Sequence, residues 1–170
     1  MPEIILRPAT EPEYHRFFRE YRNDPLIDPH PFRYSREMVS RSYHYNYDGV
    51  QKGYAHYGIF SGGRMIGCFQ LKRMDPVRQR GEFGIILQND SVKGRGYGTQ
   101  AVKLGMREAK EHFGIRVLIG DTVSANGAMR RVFEKLGFTL TETVPGAFRL
   151  NDGSSADRLV YQKDLYSSMD

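Results

Sequence analysis

The stretch Val92-Lys93-Gly94-Arg95-Gly96-Tyr97-Gly98-Thr99-Gln100 sets three glycines at alternate positions among two cations. Glycine reaches φ > 0 without steric cost and puts no side chain in front of its own amide. Such a loop can therefore turn several N–H groups toward one anion. A helical pattern starts directly behind it: Val102, Met106, Ala109 and Phe113 form an apolar stripe opposite Gln100, Lys103, Arg107 and Lys110. Upstream, Glu82-Phe83-Gly84-Ile85-Ile86-Leu87 reads as a strand. Strand, basic glycine loop and helix, in that order, suit a phosphate or pyrophosphate, because a helix N-terminus adds unpaired donors and a partial positive charge. The same residues also suit a solvated surface loop.

Two nucleotide motifs compete for this loop. Gly96, Gly98 and Ala101 satisfy the dinucleotide fingerprint G-x-G-x-x-G/A, and Asp121 ends the next strand where a ribose-binding acid would stand. That fingerprint begins directly after its strand, however, and here Gln88 to Arg95 intervene. The hairpin-rich first half also lacks the repeated βαβ units of a dinucleotide fold. A nucleoside-triphosphate P-loop fails, since no glycine-lysine-serine/threonine follows the glycines.

The elements that must position this loop fit one domain over residues 1–170. Glu3–Arg7 reads as a strand. Thr10-Glu11-Pro12-Glu13 is a capping box, and the helix behind it carries Tyr14, Phe17, Phe18 and Tyr21 on one face. Asn23-Asp24-Pro25 stops that helix, and Asp28-Pro29-His30-Pro31 is irregular. Ser35 caps a second helix through about Tyr45. Its end, Tyr43-His44-Tyr45-Asn46-Tyr47, cannot present all three tyrosines on one face. Tyr54–Phe60 and Arg64–Met74 form a hairpin around Ser61-Gly62-Gly63. After the glycine-loop helix, Arg116–Val123 is a buried-type strand. A short helix from Ser124 or Asn126 carries Met129, Val132, Phe133 and Leu136 and ends at Gly137. Phe138–Val144 is a strand, and Ala147–Leu150 with Asp157–Lys163 suggest a last hairpin.

Composition narrows the partners. A formal charge of +5 and pI ≈ 9.3 suit an anionic ligand, but no long basic run exists and a general nucleic-acid binder is not favoured. The single cysteine, Cys68, excludes an internal disulfide framework and a cysteine-based zinc cluster; no metal site is expected. With no signal-peptide pattern and no apolar run of membrane-spanning length, the expectation is a soluble, cytoplasmic protein without a membrane partner.

Residues 82–138 resemble the GNAT superfamily of acetyl-CoA-dependent N-acetyltransferases. The family's loop signature, Gln/Arg-x-x-Gly-x-Gly/Ala, is matched by Lys93-Gly94-Arg95-Gly96-Tyr97-Gly98, with Lys93 departing at the first position. A second block, Asn-x-x-Ala/Ser and then a helix ending in Gly-Phe, is matched by Asn126-Gly127-Ala128-Met129 and Gly137-Phe138, with the small residue one position early. Ile5-Leu6-Arg7-Pro8-Ala9-Thr10 and Asp157-x-Leu159-x-Tyr161 look like the branch that includes ribosomal-protein N-terminal acetyltransferases. The likeness is weak over residues 23–53, where such families vary to suit their acceptors.

The resemblance implies an α/β (α+β) fold with a mixed, mostly antiparallel central sheet and helices on both faces. It implies acetyl-CoA as co-substrate, seated where two parallel strands, Glu82–Gln88 and Arg116–Val123, splay apart. Backbone groups of Ile85, Ile86 and Leu87 would pair with the pantetheine arm. The loop Lys93, Gly94, Arg95, Gly96, Tyr97, Gly98 and Thr99 would hold the pyrophosphate, chiefly through the amides from Arg95 on. Asn126 would fix the arm or an ordered water, besides capping its helix.

The reaction so implied moves an acetyl group to a primary amine, either a protein N-terminal α-amine or an amine-bearing small molecule such as a polyamine or antibiotic. A neutral amine is required, and Glu82 is the candidate base, through water; His56 and Asp121 are weaker candidates. The family's general-acid tyrosine falls on Phe133, which cannot donate a proton, so that role is empty or moved, with Tyr97, Tyr161 and Ser124 as substitutes. A non-catalytic coenzyme A- or RNA-binding module is the alternative, and the sequence leaves open whether the chain forms a homodimer.

Overall fold

The protein is described from a computed structural model, over residues 3–48 and 53–167. Met1 and Pro2, the start of the stretch read for a signal peptide, lie outside these.

A seven-stranded sheet carries the architecture. Its strands are β1 (Ile4–Arg7), β2 (Ala55–Ser61), β3 (Arg64–Asp75), β4 (Arg80–Leu87), β5 (Val117–Val123), β6 (Thr139–Arg149) and β7 (Ser155–Asp164), in the order β1-β2-β3-β4-β5-β7-β6. Every neighbouring pair is antiparallel except β4 and β5. Four helices flank it: α1 (Glu11–Arg19), α2 (Arg36–Tyr47), α3 (Tyr97–Phe113) and α4 (Gly127–Lys135).

Strand β3 shows how the two faces differ. Phe69 and Leu71 are fully buried in the core under α3 and α4, with Phe83, Val102, Leu118 and Phe133. Cys68, on the opposite side of the pleat, joins Tyr14, Phe17, Val39, Phe60 and Met65 under α1 and α2. Each fully buried phenylalanine contributes about 1.5–3 kcal/mol relative to exposure. Helix α3 sits so close to β3 that a Cβ on Gly105 would lie 2.0 Å from the Phe69 ring. Alanine at this position would force the Phe69 ring or the helix to move.

Local signals set the helix ends. Thr10 and Glu13 form the expected capping box on α1, and Ser35 caps α2 at the amide of Met38. Of the tyrosines ending α2, Tyr43 and Tyr47 turn inward one helical turn apart, while Tyr45 is 62% exposed. At the far edge of the sheet, β6 is one strand, not the two short ones expected. Pro145 and Gly146 fall in a register irregularity between Val144 and Phe148, so the strand bends and continues.

Two features shape the site. Strands β4 and β5 pair only through Arg80, Gly81 and Glu82 with Val117, Leu118 and Ile119, and then part. The connection between α1 and α2 spans the open end of this V. Arg22 donates its amide to Gln88 beyond β4 (2.8 Å), Asn151 donates its amide to Leu26 (2.9 Å), and Ile27 packs with Val123 at the end of β5.

Candidate active site

The V between β4 and β5 holds a cavity of about 380 Å³, lined by Phe83, Gly84, Ile85 and Ile86 from β4, Asp121 and Thr122 from β5, Asn126 and Met129 from α4, and Phe18, His56, Cys68, Gln70 and Lys72 from the α1–α2 side. Beyond Glu82 the β5-facing edge of β4 has no strand partner among the described residues, so its backbone groups can receive an extended chain as an added strand. Ile85 and Ile86 line the cavity; Leu87 follows them on the same strand without lining it.

The glycine loop leads directly into α3. A 3-10 turn at Asp90–Val92 and extended Lys93 bring the chain to Gly94 (φ 72°) and Gly96 (φ 81°), both left-handed. Gly96 is the N-cap of α3 and supplies no side-chain cap, so the first-turn amides of Tyr97, Gly98 and Thr99 keep their donors for a ligand. Arg95 is exposed and has no charged partner among the described residues, whereas Lys93 lies 3.5 Å from Asp90. An uncapped helix start behind two left-handed glycines, beside an unpaired strand edge, fits a ligand with a pyrophosphate and a strand-like arm, as coenzyme A has. Asn126 caps α4, its Oδ1 accepting from the Met129 amide at 3.0 Å, and also lines the cavity.

The face toward α1 and α2 carries the polar side chains. Gln70 pairs in register with His56 on one side and Gly84 on the other, and Lys72 stands two residues along. Glu82 is opposite Lys72 and lies one step before the strands part. It is outside the cavity lining, and its Oε1 accepts from Arg73 at 3.0 Å. Arg73 reaches that face because it adopts φ 49° in the irregularity between Lys72 and Asp75, which breaks the alternation that would point it away. Across the V, Asp121 accepts from Arg158 at 2.7 Å.

His56 is held from behind by Tyr47. The Tyr47 hydroxyl oxygen accepts from the Ala9 amide at 3.2 Å and lies 2.7 Å from His56 Nδ1. Where the Tyr47 hydroxyl donates to Nδ1, the ring's own proton sits on Nε2. Burial lowers the His56 pKa to about 4, so the neutral form persists at neutral pH. In that arrangement Nε2 presents a donor to the cavity rather than a base.

Other candidates resolve into core. Phe133 is fully buried and stacks on Tyr161 at 4.2 Å with an interplanar angle of 7°. Tyr97 and Tyr161 belong to the same core and do not line the cavity. The Ser124 hydroxyl accepts from the Asp157 amide at 2.9 Å. Cys68 lines the cavity, but burial pushes its thiol pKa far above the ordinary range, so it is no nucleophile. Among the described residues, no group of His, Cys, Asp and Glu could hold a metal ion, and no helix is long and apolar enough to cross a membrane.

Sequence reading missed Gln70 and Lys72. The signal was present: both alternate with Phe69 and Leu71, polar residues at even positions of an otherwise buried strand.

The family described as "Acetyltransferase (GNAT) domain" matches residues 3–139. A search of curated proteins finds no match. Among solved structures, a ribosomal L7/L12 alpha-N-protein acetyltransferase in complex with coenzyme A is 23% identical, with a TM-score of 0.77 over 95% of this chain and 93% of that one. Spermidine N-acetyltransferase from Vibrio cholerae, in complex with CoA and spermine, is 15% identical, with a TM-score of 0.78 over 95% of each chain. An N-acetyltransferase from Staphylococcus aureus is 18% identical, with a TM-score of 0.75 over 96% of this chain and 99% of that one. At these identities the likeness is one of fold. The glycine loop at an uncapped helix, the parted parallel strands and a family match over most of the chain lead to one conclusion: this protein belongs to the GNAT family and is an acetyl-CoA-dependent N-acetyltransferase.

Proposed function

We propose that residues 1–170 act as one acetyltransferase domain that acetylates the α-amine of a peptide or protein N-terminus. The observation that carries this reading is the pairing of the carboxylates on the acceptor face. Glu82 is bound to Arg73 at 3.0 Å and Asp121 to Arg158 at 2.7 Å, so neither is left to receive a polycation. The donors His56 and Gln70 suit the peptide carbonyl that follows an N-terminal amine, and a polyamine offers no such acceptor.

Each residue then has a task. The amides from Arg95 to Thr99 hold the pyrophosphate, the loop from Lys93 through Gly94, Gly96, Tyr97 and Gly98 sets their direction, and Ile85 to Leu87 pair with the pantetheine arm. Asn126 keeps the start of α4 in place at the cavity wall. Acetyl-CoA supplies the thioester to be attacked. Arg73 engages Oε1 of Glu82, and Oε2, which has no bond to another side chain among the described residues, takes the amine proton through water. An α-amine titrates at about 7.7–8.0 against about 10.4 for lysine, so much of it is neutral without a strong base. No side-chain acid is assigned to the departing thiolate, itself a fair leaving group.

The test is release of coenzyme A with matched acceptors: a peptide with a free N-terminus and no lysine, the same peptide N-blocked, a blocked peptide containing lysine, and spermidine. The expected result is turnover of the first alone. Turnover of spermidine or of the blocked lysine peptide, with none of the free N-terminus, would overturn the reading.

A further inference from the structure

We propose that Lys72 selects acceptors with an acidic residue close behind the N-terminal amine. Two residues lining the cavity carry charge, Lys72 and Asp121. Asp121 is neutralised by Arg158 at 2.7 Å. Lys72 has no ion-pair partner among the described residues, although Glu82 stands directly opposite on β4. Arg73 occupies that carboxylate instead, at 3.0 Å. The Lys72 ammonium lies over Gly84, 3.8 Å from where a Cβ on that residue would be. Gly84 is two residues past Glu82, beyond the point where β4 and β5 part. The cation thus faces the opening, and the missing side chain at Gly84 leaves room beside it.

The neighbouring groups have the same polarity. Gln70 makes no hydrogen bond through its side chain among the described residues, and His56, its register partner on β2, presents Nε2 on the same face while Tyr47 holds Nδ1. An ammonium, an amide and an imidazole N–H, adjacent on one sheet face, favour acceptors that bring oxygen and negative charge. On the N-terminal α-amine reading, on which this assignment rests, the peptide carbonyl meets the two neutral donors and an acidic side chain meets Lys72. The α1–α2 connection, tied at Arg22–Gln88 and Leu26–Asn151, crosses the same opening and confines the first residues of the acceptor. A pair enclosed in this way is screened less by salt than one on an open surface.

The experiment compares three peptides of equal length with free N-termini, differing only at the second and third residues: two glutamates, two glutamines or two lysines. Wild type, Lys72→Gln and Lys72→Glu are assayed for kcat/KM, with acetyl-CoA affinity and thermal unfolding measured for each. Wild type is expected to prefer the acidic over the basic peptide by about tenfold, in line with a partly enclosed charge pair. Lys72→Gln should level the three, and Lys72→Glu should reverse the order with little change in acetyl-CoA affinity. The wild-type preference should shrink as salt is raised. Equal rates on the three peptides in wild type, or an unchanged preference in Lys72→Gln, would overturn the role of Lys72 while leaving the α-amine reading intact. No turnover of any free N-terminus would overturn both. Lys72→Glu places two carboxylates opposite each other across β3 and β4, so Lys72→Gln decides the matter if that variant unfolds.

Discussion

The Tyr47 hydroxyl at the end of α2 lies in hydrogen-bond contact with Nδ1 of His56 on β2, at 2.7 Å. The pair ties the acceptor-side helix α2 to the floor of the cavity.

Its first consequence is for stability against pH. The His56 pKa falls from 6.5 to about 4 on folding, through burial. The unfolded chain therefore takes up a proton below pH 6.5 that the folded chain refuses. The contribution is complete above pH 6.5 and is lost as pH falls through about 4. Its full loss amounts to ~3 kcal/mol at about 1.36 kcal/mol per unit. Urea unfolding between pH 7 and pH 4 should show this slope in wild type and not in His56→Gln. Equal slopes would place His56 outside the buried site. Glu13, lowered from 4.5 to about 2 by its bond to Arg7, adds a separate loss in more acid solution, as pH falls from 4.5 through 2.

The pyrophosphate assignment makes a prediction free of folding artefacts. A Cβ at Gly98 would meet only Val132, at 3.9 Å, so Gly98→Val should fold. Its branched side chain would crowd the amides that open α3. Acetyl-CoA should stabilise wild type against heat through linkage and should fail to stabilise Gly98→Val, with affinity reduced about tenfold or more. An unchanged affinity by calorimetry would remove the loop from the site.

Glu82→Gln tests the proton acceptor. Loss of a general base costs about 10²–10⁴-fold in rate. The variant should lose kcat and kcat/KM together and bind acetyl-CoA as wild type does, with the defect narrowing as pH rises and free amine increases. Near-normal rates at every pH would leave Glu82 as the partner of Arg73 alone.

Asn23 controls the connection across the V. Its Nδ2 donates to the carbonyls of Asp28 and His30 at 3.0 and 3.1 Å, and its Oδ1 accepts from the Phe32 amide at 2.8 Å. Asn23→Ala should raise the acceptor KM several-fold and leave acetyl-CoA affinity unchanged, because the amides of Tyr97 to Thr99 lie on another element. The global cost should be about 1–3 kcal/mol, that of bonds lost in a largely exposed loop. A parallel loss of acetyl-CoA affinity would show that the connection supports the whole cleft.

Local rules legible in the chain set the backbone on the proposed cofactor side. The turns at Gly94 and Gly96, the Thr10 capping box and the Asn126 cap are statements about neighbouring residues, and the structure has each of them. The continuity of β6 through Pro145-Gly146 was not legible, because a proline-glycine pair at a bulge looks the same in sequence as one that ends a strand. The acceptor side depended on contacts between distant segments. Arg73 neutralises Glu82 only through a left-handed backbone at a register irregularity. Tyr47 engages His56 Nδ1 from another element, and Lys72 has no ion-pair partner among the described residues because Arg73 holds the carboxylate opposite. Sequence spacing sets which backbone amides a turn can present. Only the packed sheet decides which charges cancel across it, and with them which amine the site would take.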